Sequence, residues 1–459
     1  MSKVLGVDSS TQSVKVVVRD ADSGAFISEA TQPHPPGTEV DPHYWLDAMR
    51  SAIDEVGGLQ SVTAISIAGQ QHGLVALDEQ GNVIRPALLW NDTRSAKQAE
   101  DLNNEFADIH TRTGSRLVAS FTASKLRWLK EVEPENAAKV AAVALPHDWL
   151  SWKISGSENI EDLFTDRSDA SGTGYFNPVS NLYDLEIFES ALGHTNVYLP
   201  RVIAPNKFGF QGDGIKIAAG LGDNAGAALG LNAQVGDLVI SLGTSGTAFL
   251  ITSTGSADPS GEVAGFADGT GNFMPLACTL NAAKIFAASA SMLNISLEEF
   301  SNLALAAEPG AGGLLFLPHF DGERTPNRPE AKGNLRNITH LNFTPANISR
   351  AAIEGVISSM FYATQALTQL GHGYDRILLV GGAARNPAVQ QIAADIFGGP
   401  IQIPREDEYV ANGAALQAAW ANSEYSSLPN WEELGISEVS PKNDSTSVSR
   451  QYLHAISEI

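Results

Sequence analysis

Residues 4–18 read VLGVDSSTQSVKVVV, in which two runs rich in β-branched residues flank a polar turn. This pattern is typical of a β-hairpin. Residues 237–251, DLVISLGTSGTAFLI, repeat it about half a chain length later. Each hairpin opens a long region in which strand-like and helix-like patterns alternate. We therefore predict an α/β fold of two lobes around a central cleft, where α/β proteins commonly bind ligands.

The pattern between the hairpins supports this organisation. Residues 61–68 alternate between apolar and polar like a strand, whereas residues 123–132 and 347–370 have helical spacing. The pattern is interrupted near residues 231–236, which marks the expected boundary between the lobes.

This boundary, together with a change in composition from about residue 423, divides the chain into three segments. We predict an N-terminal lobe over residues 1–231, a C-terminal lobe over residues 232–422 and a peripheral tail over residues 423–459. The tail is polar with little periodicity, and no chemistry is assigned to it.

The composition limits the possible function. The 459 residues are 43% hydrophobic and 18% charged, as in a packed globular protein. The net charge of −23 argues against nucleic acid as a partner, because phosphate backbones are bound through clustered Lys and Arg. An acidic protein that binds a nucleotide needs local devices instead: backbone amides, a few basic side chains and a divalent cation.

The cysteine content and the N-terminus bear on location. Cys278 is the one cysteine, so an internal disulfide is excluded and a reducing compartment is expected. The N-terminal apolar run reaches Asp8 after a few residues, too soon for a signal peptide or a membrane span. We expect a soluble cytoplasmic protein.

The two hairpin turns are candidate phosphate and metal sites. Gly243, Thr244 and Ser245 lie in the second turn, where consecutive amides can form an anion-binding concavity, although Ser and Gly are also ordinary turn residues. In the first turn, Asp8 could meet phosphate favourably only through a cation such as Mg²⁺. The alternative is that Asp8 closes the hairpin as an Asx-turn residue.

Asp223 lies in GLGDNAG, residues 220–226, between an apolar run and a segment of small residues. This pattern predicts a strand, a tight turn and a helix. On local grounds Asp223 is a good helix N-cap. Its position near the junction of the two halves, where residues of both lobes can meet, favours catalysis instead.

Two further segments have glycines beside groups that can recognise a ligand. Residues 69–73, GQQHG, offer amides and an imidazole, which suit several hydroxyl groups, although a histidine here can equally be structural. Residues 376–387, RILLVGGAARNP, predict a buried strand, a glycine turn and a helix capped by Asn386. Gly381 and Gly382 would let a flat adenine ring lie close to the backbone.

Motifs of several other mechanisms are missing from the sequence, which has no P-loop, no protein-kinase His-Arg-Asp set, no His-Glu-x-x-His and no basic stripe. Taken together, the motifs that are present resemble the FGGY carbohydrate kinases over about residues 3–421. The other segments that carry the resemblance are LWNDTR (89–94), FTASKLRWL (121–129), SDASGT (168–173), GERTP (322–326) and residues 333–355.

This resemblance implies an actin/hexokinase-like, or ribonuclease H-like, pair of lobes with ATP on the second and a sugar mainly on the first. It implies Asp223 as the proton acceptor and Asp8 as a group that acts through Mg²⁺, held by way of water. The other implied roles are sugar binding by Gln71, His72, Trp90, Asp223 and Asn224, and ATP binding by Thr11, Gly243, Thr244, Ser245, Gly382, Ala383 and Asn386.

The GQQHG segment most resembles the sugar loop of the xylulokinase group, which implies phosphorylation of D-xylulose in xylose catabolism. Gln71 departs from that group, in which many members carry Met. Two alternatives stay open: a kinase of the same family for ribulose, another ketose or gluconate, and a non-catalytic actin-like nucleotide-binding protein. A homodimer is also left open.

Overall fold

The computed structural model describes residues 2–212, 214–423, 427–431 and 435–458. Over these residues the chain forms two seven-stranded sheets. The first contains β1 (Lys3–Ser9), β2 (Ser13–Asp20), β3 (Phe26–Pro33), β4 (Val62–Gly69), β5 (Phe208–Gly212), β6 (Ile215–Ala218) and β7 (Leu221–Gly222). The second contains β8 (Asp237–Leu242), β9 (Gly246–Leu250), β10 (Val263–Ala267), β11 (Phe273–Thr279), β12 (Arg376–Val380), β13 (Ile401–Pro404) and β14 (Ile436–Val439).

Helices and short paired strands surround these sheets. The helices are α1 (Pro42–Glu55), α2 (Ala96–Glu105), α3 (Ile109–Thr113), α4 (Thr122–Val132), α5 (Pro134–Ala137), α6 (Pro146–Ser155), α7 (Arg167–Ala170), α8 (Leu185–Leu192), α9 (Asp223–Gly230), α10 (Ala283–Leu293), α11 (Leu297–Ala306), α12 (Pro345–Gln369), α13 (Pro387–Phe397), α14 (Tyr409–Asn422) and α15 (Thr446–Ser457). The short strands pair as Glu39–Val40 with Ala87–Leu88, Val75–Leu77 with Ala142–Ala144, Phe164–Asp166 with Arg201–Ile203, Phe176–Asn177 with Leu182–Tyr183, and Leu315–Leu317 with Asn334–Arg336.

Both predicted hairpins are confirmed, because β1 pairs antiparallel with β2 and β8 pairs antiparallel with β9. In each sheet the first hairpin strand also pairs in parallel with a later strand, β1 with β4 and β8 with β12. The first sheet runs β5-β6-β4-β1-β2-β3 with β7 also beside β4, and the second runs β10-β11-β9-β8-β12-β13-β14. The strand predicted at residues 61–68 and the two predicted helices are confirmed as β4, α4 and α12.

The apolar runs that predicted the strands become buried on both faces. Trp45 of α1 and Trp149 of α6 belong to the cluster that covers one face of the first sheet. In the second half, Ile353 and Val356 of α12 pack with the side chains of β8. Strands that are covered on both sides show continuous rather than alternating hydrophobicity, as here.

The two halves meet at α9 and α14, which cross at glycines. A Cβ on Gly413 would lie 1.9 Å from the carbonyl oxygen of Gly226, and a Cβ on Gly6 would lie 2.0 Å from that of Ala411. The helix α14 therefore lies directly against β1, although it follows β13 of the second sheet in sequence.

This close crossing predicts that Gly413→Ala destabilises the protein. The added methyl group has no space, and overpacking of a dense interior costs about 1–3 kcal/mol of unfolding free energy. Urea denaturation measures this change. Gly373→Ala is the matched control, because a Cβ there meets nothing within 4 Å. Equal stability of Gly413→Ala and the parent protein would contradict the crossing.

The C-terminal segment is more integrated than its composition indicates. β14 pairs antiparallel with β13 at the edge of the second sheet, and α15 packs on α12 with Tyr452 fully buried. Residues 424–426, 432–434 and 459 of the predicted tail lie outside the described residues. Among the helices of the described part of the chain, none combines the length and apolar character that crossing a membrane requires.

Candidate active site

The candidate residues of the first sheet lie at the carboxyl ends of neighbouring parallel strands. Asp8 pairs with Ala68, and Gly222 pairs with Gly69. Because parallel strands end at the same edge of a sheet, Asp8, Asp223 and the predicted sugar loop come together. The resulting cluster places two carboxylates beside a loop rich in hydrogen-bonding groups.

Asp223 is the first residue of α9, and Gly222 occupies the N-cap position. The alternative that Asp223 is the N-cap is therefore wrong. Its Oδ1 accepts hydrogen bonds from the backbone nitrogen of Asn224 at 2.7 Å and from Asn224 Nδ2 at 2.9 Å. Burial raises the pKa of Asp223 to about 6, with the Asn224 bonds acting in the opposite direction. A carboxylate of this kind can accept a proton near neutral pH.

Asp8 does not close the first hairpin, so the Asx-turn alternative is wrong. The turn is closed by Ser10, whose backbone nitrogen and Oγ both donate to the carbonyl oxygen of Ser13, at 3.0 and 2.9 Å. Asp8 Oδ1 is buried, and it has no hydrogen-bond partner among the described residues. Burial, and then the negative charge of Asp223, raise the pKa of Asp8 to about 7. A buried, unpartnered carboxylate oxygen beside a second carboxylate fits a site for a hard cation such as Mg²⁺.

The sugar loop is held by bonds that leave one ring nitrogen of His72 for a ligand. His72 Nδ1 donates to the carbonyl oxygen of Gly172 at 2.6 Å. Burial, and then the positive charge of Lys125, lower the pKa of His72 to about 3, so the ring is neutral and Nε2 is an acceptor. Gln71 is buried, and its Nε2 donates to the carbonyl oxygen of Ser168 at 3.2 Å.

Lys125 holds the main chain of this loop through a hydrogen bond, a role that the sequence did not predict. Its Nζ donates to the carbonyl oxygen of His72 at 3.1 Å and to that of Ser120. Burial lowers the pKa of Lys125 to about 7. A helical lysine was recognisable only as part of a family-like segment, because its partners come from a distant turn.

Trp90 and Thr11 lie together on the first lobe. Trp90 Nε1 donates to Thr11 Oγ1 at 2.8 Å, and Thr11 Oγ1 donates to Gln70 Oε1 at 3.4 Å. Trp90 is 39% exposed, so it can still contact a ligand. The structure thus groups Thr11, which was expected to bind ATP, with residues of the sugar loop.

The glycine turns of the second sheet also share one edge. β8 and β12 are parallel neighbours, and the turn of Gly243, Thr244 and Ser245 follows the first while Gly381 follows the second. Gly381 has a φ of 92°, and a Cβ on it would lie 2.7 Å from the carbonyl oxygen of Leu242. Only glycine fits this turn, which brings the backbone close to any ligand at the edge.

The predicted cap of the adjoining helix is confirmed. Asn386 Oδ1 accepts from the backbone nitrogen of Ala388 at 2.9 Å and from Ser301 Oγ at 2.6 Å. Gly382 and Ala383 lie in the preceding 3₁₀ turn, Gly382–Arg385. A cavity of about 330 Å³ at this edge is lined by residues of both halves, including Lys15, Asn224, Gly381, Gly382 and Asp407.

A buried charged network lies beside the Asp223 turn, and no local sequence pattern indicated it. His147 Nε2 lies 3.3 Å from Asp148 Oδ1, 3.4 Å from Asp166 Oδ1 and 3.2 Å from Asp169 Oδ2. Burial lowers the pKa of His147, but the charge of Asp148 and the contacts with Asp166 and Asp169 raise it overall, to about 9. The ring nitrogen thus lies within ion-pair distance of three buried carboxylates, and in its protonated form the cluster is an ion network.

This network predicts that stability falls at alkaline pH. Because the folded-state pKa of His147 lies above its ordinary value of 6.5, its contribution is complete below pH 6.5 and is lost as the pH rises through about 9. We expect the free energy of unfolding to fall by up to ~3 kcal/mol over this range, at about 1.4 kcal/mol per pKa unit. Urea titrations at several pH values measure it. His147→Asn should lose this slope and the exposed His454→Asn should keep it, whereas equal slopes would contradict the assignment.

Comparison with known proteins places these features in a family. Residues 3–230 match the N-terminal domain of the FGGY family of carbohydrate kinases, and residues 238–422 match its C-terminal domain. The chain is 43% identical over 434 residues to a xylulose kinase of Streptomyces coelicolor, an alignment that covers 91% of this chain and 87% of the relative. A xylulose kinase of Streptomyces rubiginosus is also 43% identical, with the same coverage of 91% and 87%.

A solved structure shows the same architecture. The crystal structure of xylulose kinase from Bifidobacterium adolescentis superposes with a TM-score of 0.93 at 42% identity, covering 99% of each chain. The predicted two-lobed α/β fold is thereby confirmed. With both of its domains matched, this chain belongs to the FGGY family of carbohydrate kinases.

Proposed function

We propose that this chain transfers the γ-phosphoryl group of ATP to the C5 hydroxyl of D-xylulose, giving D-xylulose 5-phosphate and ADP. The position of Asn224 carries the proposal. Asn224 bonds to the candidate base Asp223 and also lines the cavity at the glycine turns of the second sheet. A sugar hydroxyl at Asp223 and a nucleotide at those turns would therefore be neighbours. The relatives named as xylulose kinases support the choice of sugar.

The positions of the candidate binding groups indicate which lobe would bind which substrate. The first lobe, residues 1–231, would bind the sugar through Gln71, His72 and Trp90. The neutral ring of His72 offers Nε2 to a sugar hydroxyl, and Trp90 presents a partly exposed face. The second lobe, residues 232–422, would hold the triphosphate at the Gly243 turn and the adenosine at the Gly382–Asn386 segment, where backbone amides and close approach suit an anion and a flat ring.

Asp223 would remove the proton of the attacking hydroxyl as its oxygen bonds to the γ-phosphorus. The bond between that phosphorus and the bridging oxygen of ADP breaks, and the proton stays on the Asp223 carboxylate. Phosphoryl transfer needs alignment and charge neutralisation more than covalent help from the protein. Positioning of the sugar by its loop would supply much of the acceleration.

Asp8 is the residue that would hold Mg²⁺, by way of water. The ion would neutralise charge on the phosphate oxygens. The support comes from Asp8 itself, whose buried oxygen has no protein partner in the described part of the chain and whose pKa is raised beside Asp223. The single cysteine fits a reducing compartment, and we propose the cytoplasm as the location of this protein.

A panel of sugars tests the proposed substrate. Coupled detection of ADP with D-xylulose, D-ribulose, L-ribulose, D-fructose, gluconate and glycerol gives kcat/KM for each. We expect D-xylulose to exceed every other compound by at least about tenfold, the discrimination that about 1.4 kcal/mol of transition-state binding provides. A higher kcat/KM for another sugar or polyol would refute the substrate while leaving a carbohydrate kinase.

A further inference from the structure

Arg324 carries a positive charge that none of the described residues pairs with. Its backbone nitrogen donates to Glu323 Oε1 at 2.8 Å, but its guanidinium makes no hydrogen bond or ion pair with any residue that the structure describes. Two lysines of the first lobe are engaged, since Lys15 pairs with Glu408 and Lys125 donates to His72. Arg324 is only partly exposed, and burial lowers the pKa of its guanidinium. A desolvated charge without a partner is costly unless an anion joins it.

The loop that carries Arg324 is fixed beside the Gly243 turn. Glu323 Oε1 accepts from the backbone nitrogen of Leu280 at 2.6 Å, and Glu323 Oε2 accepts from Asn281 Nδ2 at 2.9 Å. These two residues directly follow β11, whose last residue, Thr279, pairs with Gly246 at the end of the turn. The anchoring holds the backbone of Arg324 in place and leaves its side chain to a ligand.

The side chain of Arg324 is also close to the sugar loop of the first lobe. After burial and Lys125, the positive charge of Arg324 is a further cause of the lowered pKa of His72. The ring of His72 in turn lies 5.6 Å from that of Phe266 on β10, so the sugar loop touches the second sheet here. Arg324 thus lies between the turn assigned to the triphosphate and the loop assigned to the sugar.

We infer that Arg324 binds the phosphoryl group during its transfer and the phosphate of the sugar phosphate that results. This inference rests on the proposed function. It adds a cation that belongs to the protein and stays in place when ATP and the sugar bind and leave. A guanidinium can pair with two phosphate oxygens at once, which an ammonium cannot do with the same geometry. An arginine placed on a transferring phosphoryl group contributes to the transition state more than to binding of the unreacted sugar.

Substitution of Arg324 gives the kinetic test. Arg324→Ala should lower kcat by at least about 100-fold, in line with the large effects of arginines on phosphoryl transfer, while KM for D-xylulose stays within about threefold because the lost interaction is made only in the transition state. Guanidinium ion added at millimolar concentration should restore part of the activity of Arg324→Ala and should not raise that of the parent protein. Arg336→Ala, which removes a surface arginine paired with Glu458, is the control and should behave like the parent.

Equilibrium binding separates failure of this inference from failure of the proposed substrate. Orthovanadate, a phosphate analogue, is titrated into the protein with ADP and Mg²⁺ present, a measurement that does not depend on the sugar. We expect at least about tenfold weaker binding to Arg324→Ala and about equal binding to Arg336→Ala. Unchanged vanadate affinity, or a loss of activity confined to KM for the sugar, would overturn the inference. Circular dichroism shows whether Arg324→Ala is folded. If it is not, Arg324→Lys is tested with the same criteria. Lysine keeps the charge but cannot pair with two phosphate oxygens in the same geometry.

Discussion

Replacing Asp223 with alanine is expected to reduce kcat by a factor of about 10²–10⁴, the usual contribution of a general base. The sugar hydroxyl loses its proton acceptor, whereas the sugar loop and the glycine turns keep their structure. Affinities for ATP and D-xylulose should therefore stay within severalfold of the parent values. Coupled ADP release measures the rate, and isothermal titration calorimetry measures both affinities.

A matched variant shows whether any loss is specific. Asp108 is also an aspartate at a helix start, but it is exposed and its side chain makes no capping bond. Asp108→Ala should retain the parent kcat. Near-normal turnover by Asp223→Ala would contradict the assignment of the base, even if the fold and both binding sites proved correct.

Replacing Asp8 with asparagine is expected to lower kcat by about 100-fold or more and to raise the Mg²⁺ concentration needed for half-maximal rate. Asparagine keeps the size of the side chain but removes the negative charge that attracts a hard cation. The substitution also removes the repulsion that raises the pKa of Asp8 beside Asp223, so the folded protein should not be less stable.

Rates over a range of Mg²⁺ concentrations, together with urea denaturation, test both parts of this expectation. Asp47→Asn on the exposed face of α1 is the control for loss of one negative charge. An unchanged Mg²⁺ requirement in Asp8→Asn would show that Asp8 does not serve the metal.

The sequence predicted the framework of the site because the framework is local. Each hairpin carries its own pattern of β-branched runs and a polar turn, and residues at the ends of parallel strands must share an edge. The local patterns and the family resemblance were enough to name Asp8, Asp223 and the sugar loop as candidates, and the strand pairing of the structure brings them to one edge. The local patterns were not enough to decide which residue caps α9, because Gly222 and Asp223 are distinguished by backbone conformation, with φ −67° and ψ 150° at Gly222.

The features that the sequence did not predict depend on contacts between segments that are far apart in the chain. His147 reaches Asp166 and Asp169 from another helix, and no spacing in the sequence connects them. The guanidinium of Arg324 has no partner in the described part of the chain, which can be seen only from the structure around it. Similarly, the sequence did not predict α15 within the polar tail, because the buried face of this helix, which includes Val448 and Tyr452, is short.

The most direct test of the account is identification of the product. The protein is incubated with ATP, Mg²⁺ and D-xylulose, and the mixture is followed by phosphorus-31 NMR. We predict one new sugar-phosphate signal that matches D-xylulose 5-phosphate and grows in a one-to-one ratio with ADP, with little ADP formed when the sugar is omitted. Release of ADP at the same rate with and without sugar, and no sugar phosphate, would contradict the central claim and would favour an actin-like nucleotide-binding protein instead.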